Sequence, residues 1–286
     1  MSIFDQFIFQ CYQKLLIPLL SFFLTPEQIK QLKEIIFATF IGVFGLIAIA
    51  FWSLFLALII SFLSGTGLER LLTSALSGIL IGSLALSMGL LTAFLFYMRR
   101  TKTSLEFLDI RFPTMRDLLY VLLGLVVLFL ILIIFGAIFE YFGAETTSHS
   151  VENLIYSNPE IMLLLIPISL FLVGPLEELL YRNIIQKSLY NSFSPVGSIL
   201  ISSIIFSAVH IFAYSGGALL QNPLPVLNAL FVIFTLSVII GFVYYQTKNL
   251  VTAALLHGIY DSIIFAAFYI KTTTGVAAII PSLFLF

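Results

Sequence analysis

Six ionisable residues interrupt long runs of apolar side chains: Glu177, Glu178, Arg182, His210, His257 and Asp261. Carboxylates and imidazoles move protons near neutral pH, so the set suits general acid–base work, metal binding or proton relay. Spacing divides the set. Glu178 and Arg182 are four residues apart, which puts them on one helix face at ion-pair reach. Glu177 is turned about 100° from Glu178, so it can point elsewhere and stay free for chemistry. His257 and Asp261 share a face at the same separation, and so do Phe206 and His210.

The elements that carry these residues must lie in a bilayer. Of 286 residues, 60% are hydrophobic and 9% charged, with a mean hydropathy of +1.14. A soluble domain carries about 25% charged residues, so this chain would expose far too much apolar surface in water. The net charge of −1 implies no nucleic-acid partner. Cys11 is the single cysteine, which excludes an internal disulfide and any cysteine metal cage. It reads as a bland apolar residue. The first residues lack a basic region and a small-residue cleavage site, so insertion through the chain's own spans is expected.

The expected fold is all-α: a polytopic transmembrane bundle of seven to eight spans. Uncharged apolar runs long enough for roughly 30 Å of hydrocarbon mark spans at about 35–63, 71–98 and 118–138. Four more begin near Glu160, Pro195, Val226 and Asn249. Asn158-Pro159 and Ser194-Pro195 each put a capping side chain before a proline suited to a first helical turn. Thr25-Pro26-Glu27-Gln28 is a further start signal. Residues 7–24 are apolar but broken by Gln10, Gln13, Lys14 and Pro18, as in an interfacial helix, and the tail 276–286 is too short to span alone. The domain reading is a cytoplasmic or interfacial segment 1–34, supporting spans in 35–142 and a site-bearing part 159–286. No repeat and no soluble domain is visible.

The basic residues orient this arrangement. With the N-terminus inside, the cytoplasmic side collects Lys14, Lys30, Lys33, Arg99, Arg100, Lys102, Arg111, Arg116, Lys187 and Lys248, and the outside keeps Arg70 and Lys271. At about 1.5 Å per residue, Glu177 then lies roughly 15 Å, His210 22 Å, His257 12 Å and Asp261 18 Å from the cytoplasmic boundary. The four share one middle layer. A charge there costs at least about 2.5–3.5 kcal/mol, so the cluster asks for a function. Apart from Glu140 near an outer helix end, the first three spans hold almost none and read as support. A polar network that merely locks helices together is the simpler alternative, and it fits the Glu178–Arg182 pair best.

Three short patterns then stand in order, each on its own span. Gly174-Pro175-Leu176-Glu177-Glu178-Leu179-Leu180-Tyr181-Arg182 resembles the EExxxR motif of the CPBP (CAAX protease and bacteriocin-processing, Abi) family. Phe206-Ser207-Ala208-Val209-His210 is similar to its FxxxH motif, and His257-Gly258-Ile259-Tyr260-Asp261 to its HxxxN-or-D motif. The approach from Gly241 to Leu256, with Tyr244, Thr247 and Leu250, also looks typical. The resemblance covers about 159–269.

It implies an intramembrane endopeptidase similar to type II CAAX prenyl proteases. Glu177 with His210 would deprotonate water, and His257 with Asp261 would stabilise the oxyanion. Asp261 stands where the prenyl proteases carry Asn, so it must be protonated to donate, or act by orienting His257. No cofactor is implied. Two histidines and carboxylates also suit zinc, although no HExxH helix is present. Serine catalysis lacks a GxSxG elbow. Rival classes are a proton-relaying transporter, whose matching halves are not seen, and a non-proteolytic membrane adaptor. The expected partners are the lipid bilayer and a peptide or protein substrate, either prenylated or a bacteriocin or leader peptide. The chain's own Ser282-Leu283-Phe284-Leu285-Phe286 end has no prenylation cysteine. A plasma (inner) membrane is the expected location. The charge bias makes a direct prediction: cysteine at Ser150 labels in intact cells and cysteine at Thr103 does not. The reverse pattern overturns the orientation.

Overall fold

In a computed structural model the described residues are 23–145, 158–215 and 222–274. They form helices and connections, with no strand among them. The helices are α1 (Pro26–Ser64), α2 (Leu68–Thr73), α3 (Ala75–Thr101), α4 (Met115–Phe142), α5 (Ile161–Leu189), α6 (Pro195–Val209), α7 (Ile211–Ser215), α8 (Pro223–Thr247) and α9 (Leu250–Thr274). Counting α6 and α7 as one, seven are long and apolar enough to cross a bilayer. The protein is an all-α, multi-pass membrane protein. The interfacial segment expected at 7–24, save its last two residues, lies outside the described residues. So do the tail and most of the 144–158 connection.

Local sequence explains most helix starts. Thr25 and Gln28 form a reciprocal capping box at α1, and Thr114 with Asp117 does the same at α4. Ser194 Oγ accepts from the Gly197 amide at 3.2 Å to open α6. Helix α5 opens two residues after Pro159. There Glu160 occupies the cap position without a side-chain hydrogen bond. The Ile161, Met162 and Leu163 amides instead donate three residues back, to Asn158, Pro159 and Glu160 carbonyls. A tight turn of backbone bonds thus satisfies the donors that a side chain usually serves.

Burial shows which helices are central. About half of the most apolar stretch of α8 and of α9 is buried, against 17% for α1 and 22% for α4. Phe51, Leu54, Phe62, Leu122 and Leu130 face outward, where only hydrocarbon can cover them. One core joins α1, α3, α5, α6 and α8 around Ile41, Leu180, Ile184 and Val226. A second joins α4, α8 and α9 around Leu128, Leu132 and Leu256.

Two features of α5 shape the site. At its crossing with α9 the backbones nearly touch. A Cβ on Gly258 would lie 2.8 Å from Leu170 Cα, and one on Gly174 would lie 3.0 Å from the Gly258 nitrogen. Only glycine allows so close an approach, a device common in membrane helix pairs. The second feature is irregular winding: residues Ser169–Val173 and Leu179–Gln186 are π-helical. Pro175 accounts for the first wide turn, since it offers no N–H to the Phe171 carbonyl and its ring pushes that carbonyl away. The second has no such proline, and nothing in the local sequence explains it.

The connection between α3 and α4 is tied down as a strap. Asp109 accepts from Lys187 Nζ at 2.7 Å and from the Tyr244 hydroxyl at 2.5 Å. Its amide donates to Asn183 Oδ1 at 2.8 Å, and its carbonyl accepts from the Leu250 amide at 2.7 Å. Arg111 makes two bonds to Asp117 and donates to the Thr247 carbonyl at 2.8 Å. One loop therefore clamps the same ends of α4, α5, α8 and α9.

Candidate active site

Glu178 is the hub of the polar cluster. Its carboxylate is fully buried; one oxygen accepts from Arg182 Nε at 2.7 Å and the other from His257 Nδ1 at 2.8 Å. An ionised carboxylate only accepts, so Nδ1 of His257 carries the proton of that bond. The imidazole is thereby fixed, and its Nε2 looks toward Glu177 Oε2 at 3.9 Å and Asp261 Oδ2 at 3.6 Å. Both distances exceed hydrogen-bond length, so these three groups converge without being locked. Exposure separates the roles. The Glu177, His257 and Asp261 side chains keep 11%, 10% and 21% of their surface, whereas Glu178 and Arg182 keep none. The first three can meet a ligand; the last two cannot.

Glu177 takes no part in the Glu178–Arg182 pair, yet it faces the same imidazole. The two carboxylates address opposite nitrogens of one imidazole, because the Gly174–Gly258 crossing places His257 beside both. Ser169, at the mouth of the first π turn, hydrogen-bonds to the Asp261 carboxylate.

His210 stands where α6 breaks into α7. Its amide donates to the Ser207 carbonyl, three residues back, which leaves the Phe206 carbonyl without its helical donor. The His210 side chain takes that place, with Nδ1 at 2.7 Å from the Phe206 oxygen. A carbonyl only accepts, so Nδ1 carries the proton and a neutral His210 keeps a lone pair on Nε2. The Phe206 ring lies 4.5 Å from the His210 ring and 6.3 Å from that of His257. The Arg182 guanidinium sits 5.3 Å from its centre. Both imidazoles and the ion pair thus border one aromatic wall.

The structure brings Glu177, Glu178, Arg182, His257 and Asp261 together and sets His210 against Phe206. Phe206, which the spacing pairs with His210, completes the surroundings together with Ser169, Asn183, Gln186, Lys187 and Asp109, to which the sequence assigns no part in the site. A signal for Asp109 was present: it is an acid within the most basic connection of the chain. Among the described residues no three His, Cys, Asp or Glu side chains are grouped so as to hold a metal ion. Removing Arg182 strands Glu178 in a sealed position, a loss that typically costs about 3–5 kcal/mol. Arg182→Ala is therefore expected to lower the thermal midpoint clearly in detergent. A midpoint equal to wild type contradicts the ion pair.

Residues 159–263 match the family model described as Rce1-like, type II CAAX prenyl endopeptidase Rce1-like. No curated protein and no solved structure matches the chain. The matched segment opens at the turn before α5 and closes two residues after Asp261, so it contains every acid, base and imidazole of the cluster. Helices α1 to α4 lie outside it. The likeness to the type II CAAX prenyl endopeptidase family is carried by residues 159–263.

Proposed function

We propose that this protein is an intramembrane endopeptidase in which Glu177 activates water. The observation that carries this reading is the unequal commitment of the two glutamates. Glu178 spends both oxygens on Arg182 and His257, while Glu177 has neither bond and retains access. The family match over residues 159–263 supports a peptide hydrolase in general. The glutamate mechanism, the orientation in the membrane and the substrate belong to this proposal.

In the reaction, Glu177 takes a proton from water, with the lone pair of His210 Nε2 helping to hold that water. The oxygen adds to the scissile carbonyl carbon, and negative charge builds on the carbonyl oxygen. His257 Nδ1 already donates to Glu178, so a second donation from Nε2 uses the imidazolium form. Glu178 is the counter-ion that this form needs. Asp261 completes the oxyanion site when protonated, or otherwise holds the His257 ring in place. The C–N bond breaks, the leaving nitrogen takes the proton from Glu177, and a carboxylic acid and an amine are released.

The substrate class is a membrane-associated peptide or protein, either prenylated or a leader or bacteriocin precursor. In this proposal the charge bias puts the N-terminus in the cytoplasm. This reading uses no metal, and zinc on the same residues is its rival. Asp261→Asn separates the two. Asn donates at any pH, so the variant keeps substantial peptide cleavage and extends it to higher pH. If Asp261 were a zinc ligand, the variant would lose metal and activity together. Glu177→Gln abolishes cleavage while the protein still folds and inserts. Cleavage that persists in Glu177→Gln, or stoichiometric zinc lost in step with activity, defeats the proposal.

A further inference from the structure

Hydrolysis inside a membrane needs a route for water, and the packing of α5, α6 and α8 holds a seam of buried polar groups for which the proposed chemistry has no use. At its centre, Gln186 is fully buried. Its Nε2 donates to the Gly241 carbonyl of α8 at 2.9 Å and to the Tyr190 hydroxyl at 2.7 Å. Its Oε1 accepts from Ser202 of α6 at 3.4 Å, a long contact. Within one helical turn of this junction, about 6 Å along each axis, lie Arg182 on α5, Ser198 and Ser203 on α6, and Ser237 on α8. All four are fully buried. Arg182 Nη1 and Nη2 and the three serine hydroxyls have no hydrogen-bond partner among the described residues.

Several unpaired buried donors within one turn of Gln186 on three packed helices need an explanation. Buried polar groups are satisfied in nine cases of ten or more, by protein or by internal water. An arginine with two unpaired nitrogens, whose remaining N–H is bound to Glu178, is a costly thing to keep dry. The seam also has two ends. One is Tyr190, half-buried at the end of the bundle that carries Lys187 and Lys248. Burial holds its phenol above the usual range, so it stays an O–H that accepts from Gln186 and can donate outward. The other end is Arg182, against Glu178 and the face of Phe206, the ring that also borders His210 and His257.

We propose that α5, α6 and α8 enclose a file of ordered water running from Tyr190 past Gln186 to Arg182, and that this file supplies the water consumed beside Glu177. The supply role rests on the protease reading; the file itself does not. Two measurements on the full chain separate them. An experimental density map fine enough to resolve ordered solvent shows peaks within hydrogen-bond distance of Arg182 Nη1 or Nη2 and of the Ser237 hydroxyl. If those atoms instead bond directly to protein groups with no solvent between them, the file does not exist. In the second arm, Ser237→Leu fills the seam away from the proposed reacting groups. It lowers kcat for peptide cleavage several-fold and leaves KM near wild type, whereas Ser237→Ala keeps most of kcat. Solvent peaks in wild type with an unchanged kcat in a folded Ser237→Leu protein overturn the supply role. Wild-type protein that cleaves no peptide overturns the protease reading and the supply role with it, and the density map still decides the file.

Discussion

The carboxylate of Glu178, sealed between Arg182 and His257, is the interaction on which the rest of the site depends. Two charges taken out of water are stable only when each finds a well-placed partner, and here a third group, His257, takes the carboxylate's other oxygen. That arrangement fixes more than an energy. It joins two turns of α5 to α9, sets the proton on His257 Nδ1 and aims Nε2 at Glu177 and Asp261. The backbone contact between Gly174 and Gly258 is its precondition, because a side chain at either position would push the helices apart. A structural charge and a reactive charge thus sit next to each other in sequence. Burial separates their tasks.

The framework around this hub has a division of its own. Helices α1 and α4 give most of their surface to hydrocarbon, while about half of the most apolar stretch of α8 and of α9 is buried. The strap through Asp109 and Arg111 then ties the ends of the more buried helices together. Tyr244, Thr247 and Leu250, which belong to the family-like approach to α9, all bond to this strap. Those positions therefore hold the site helices in register and do not face the reacting groups.

Much of this was legible in the sequence, for identifiable reasons. Seven spans follow from apolar length, since a bilayer imposes one dimension on every crossing. The Glu178–Arg182 pairing follows from a separation of four residues. What local spacing does not encode was missed. The first π turn of α5 depends on how Pro175 displaces a hydrogen bond, and no local signal marks the second. The convergence of Glu177 and Glu178 on one imidazole depends on a helix crossing more than 75 residues away in sequence. The tie between Asp109 and Tyr244 spans 135 residues, and no periodicity predicts such a pair.

The central claim is that Glu178 holds His257 through Nδ1 so that Nε2 serves the site. Nitrogen NMR of the full chain labelled at its three histidines tests it most directly, with His257 assigned by its loss in a His257→Gln variant. The account predicts a protonated, hydrogen-bonded Nδ1 at His257, whose resonance moves strongly in Glu178→Gln and only slightly in Glu177→Gln. A His257 with its proton on Nε2 alone, or an Nδ1 signal indifferent to Glu178→Gln, would contradict it.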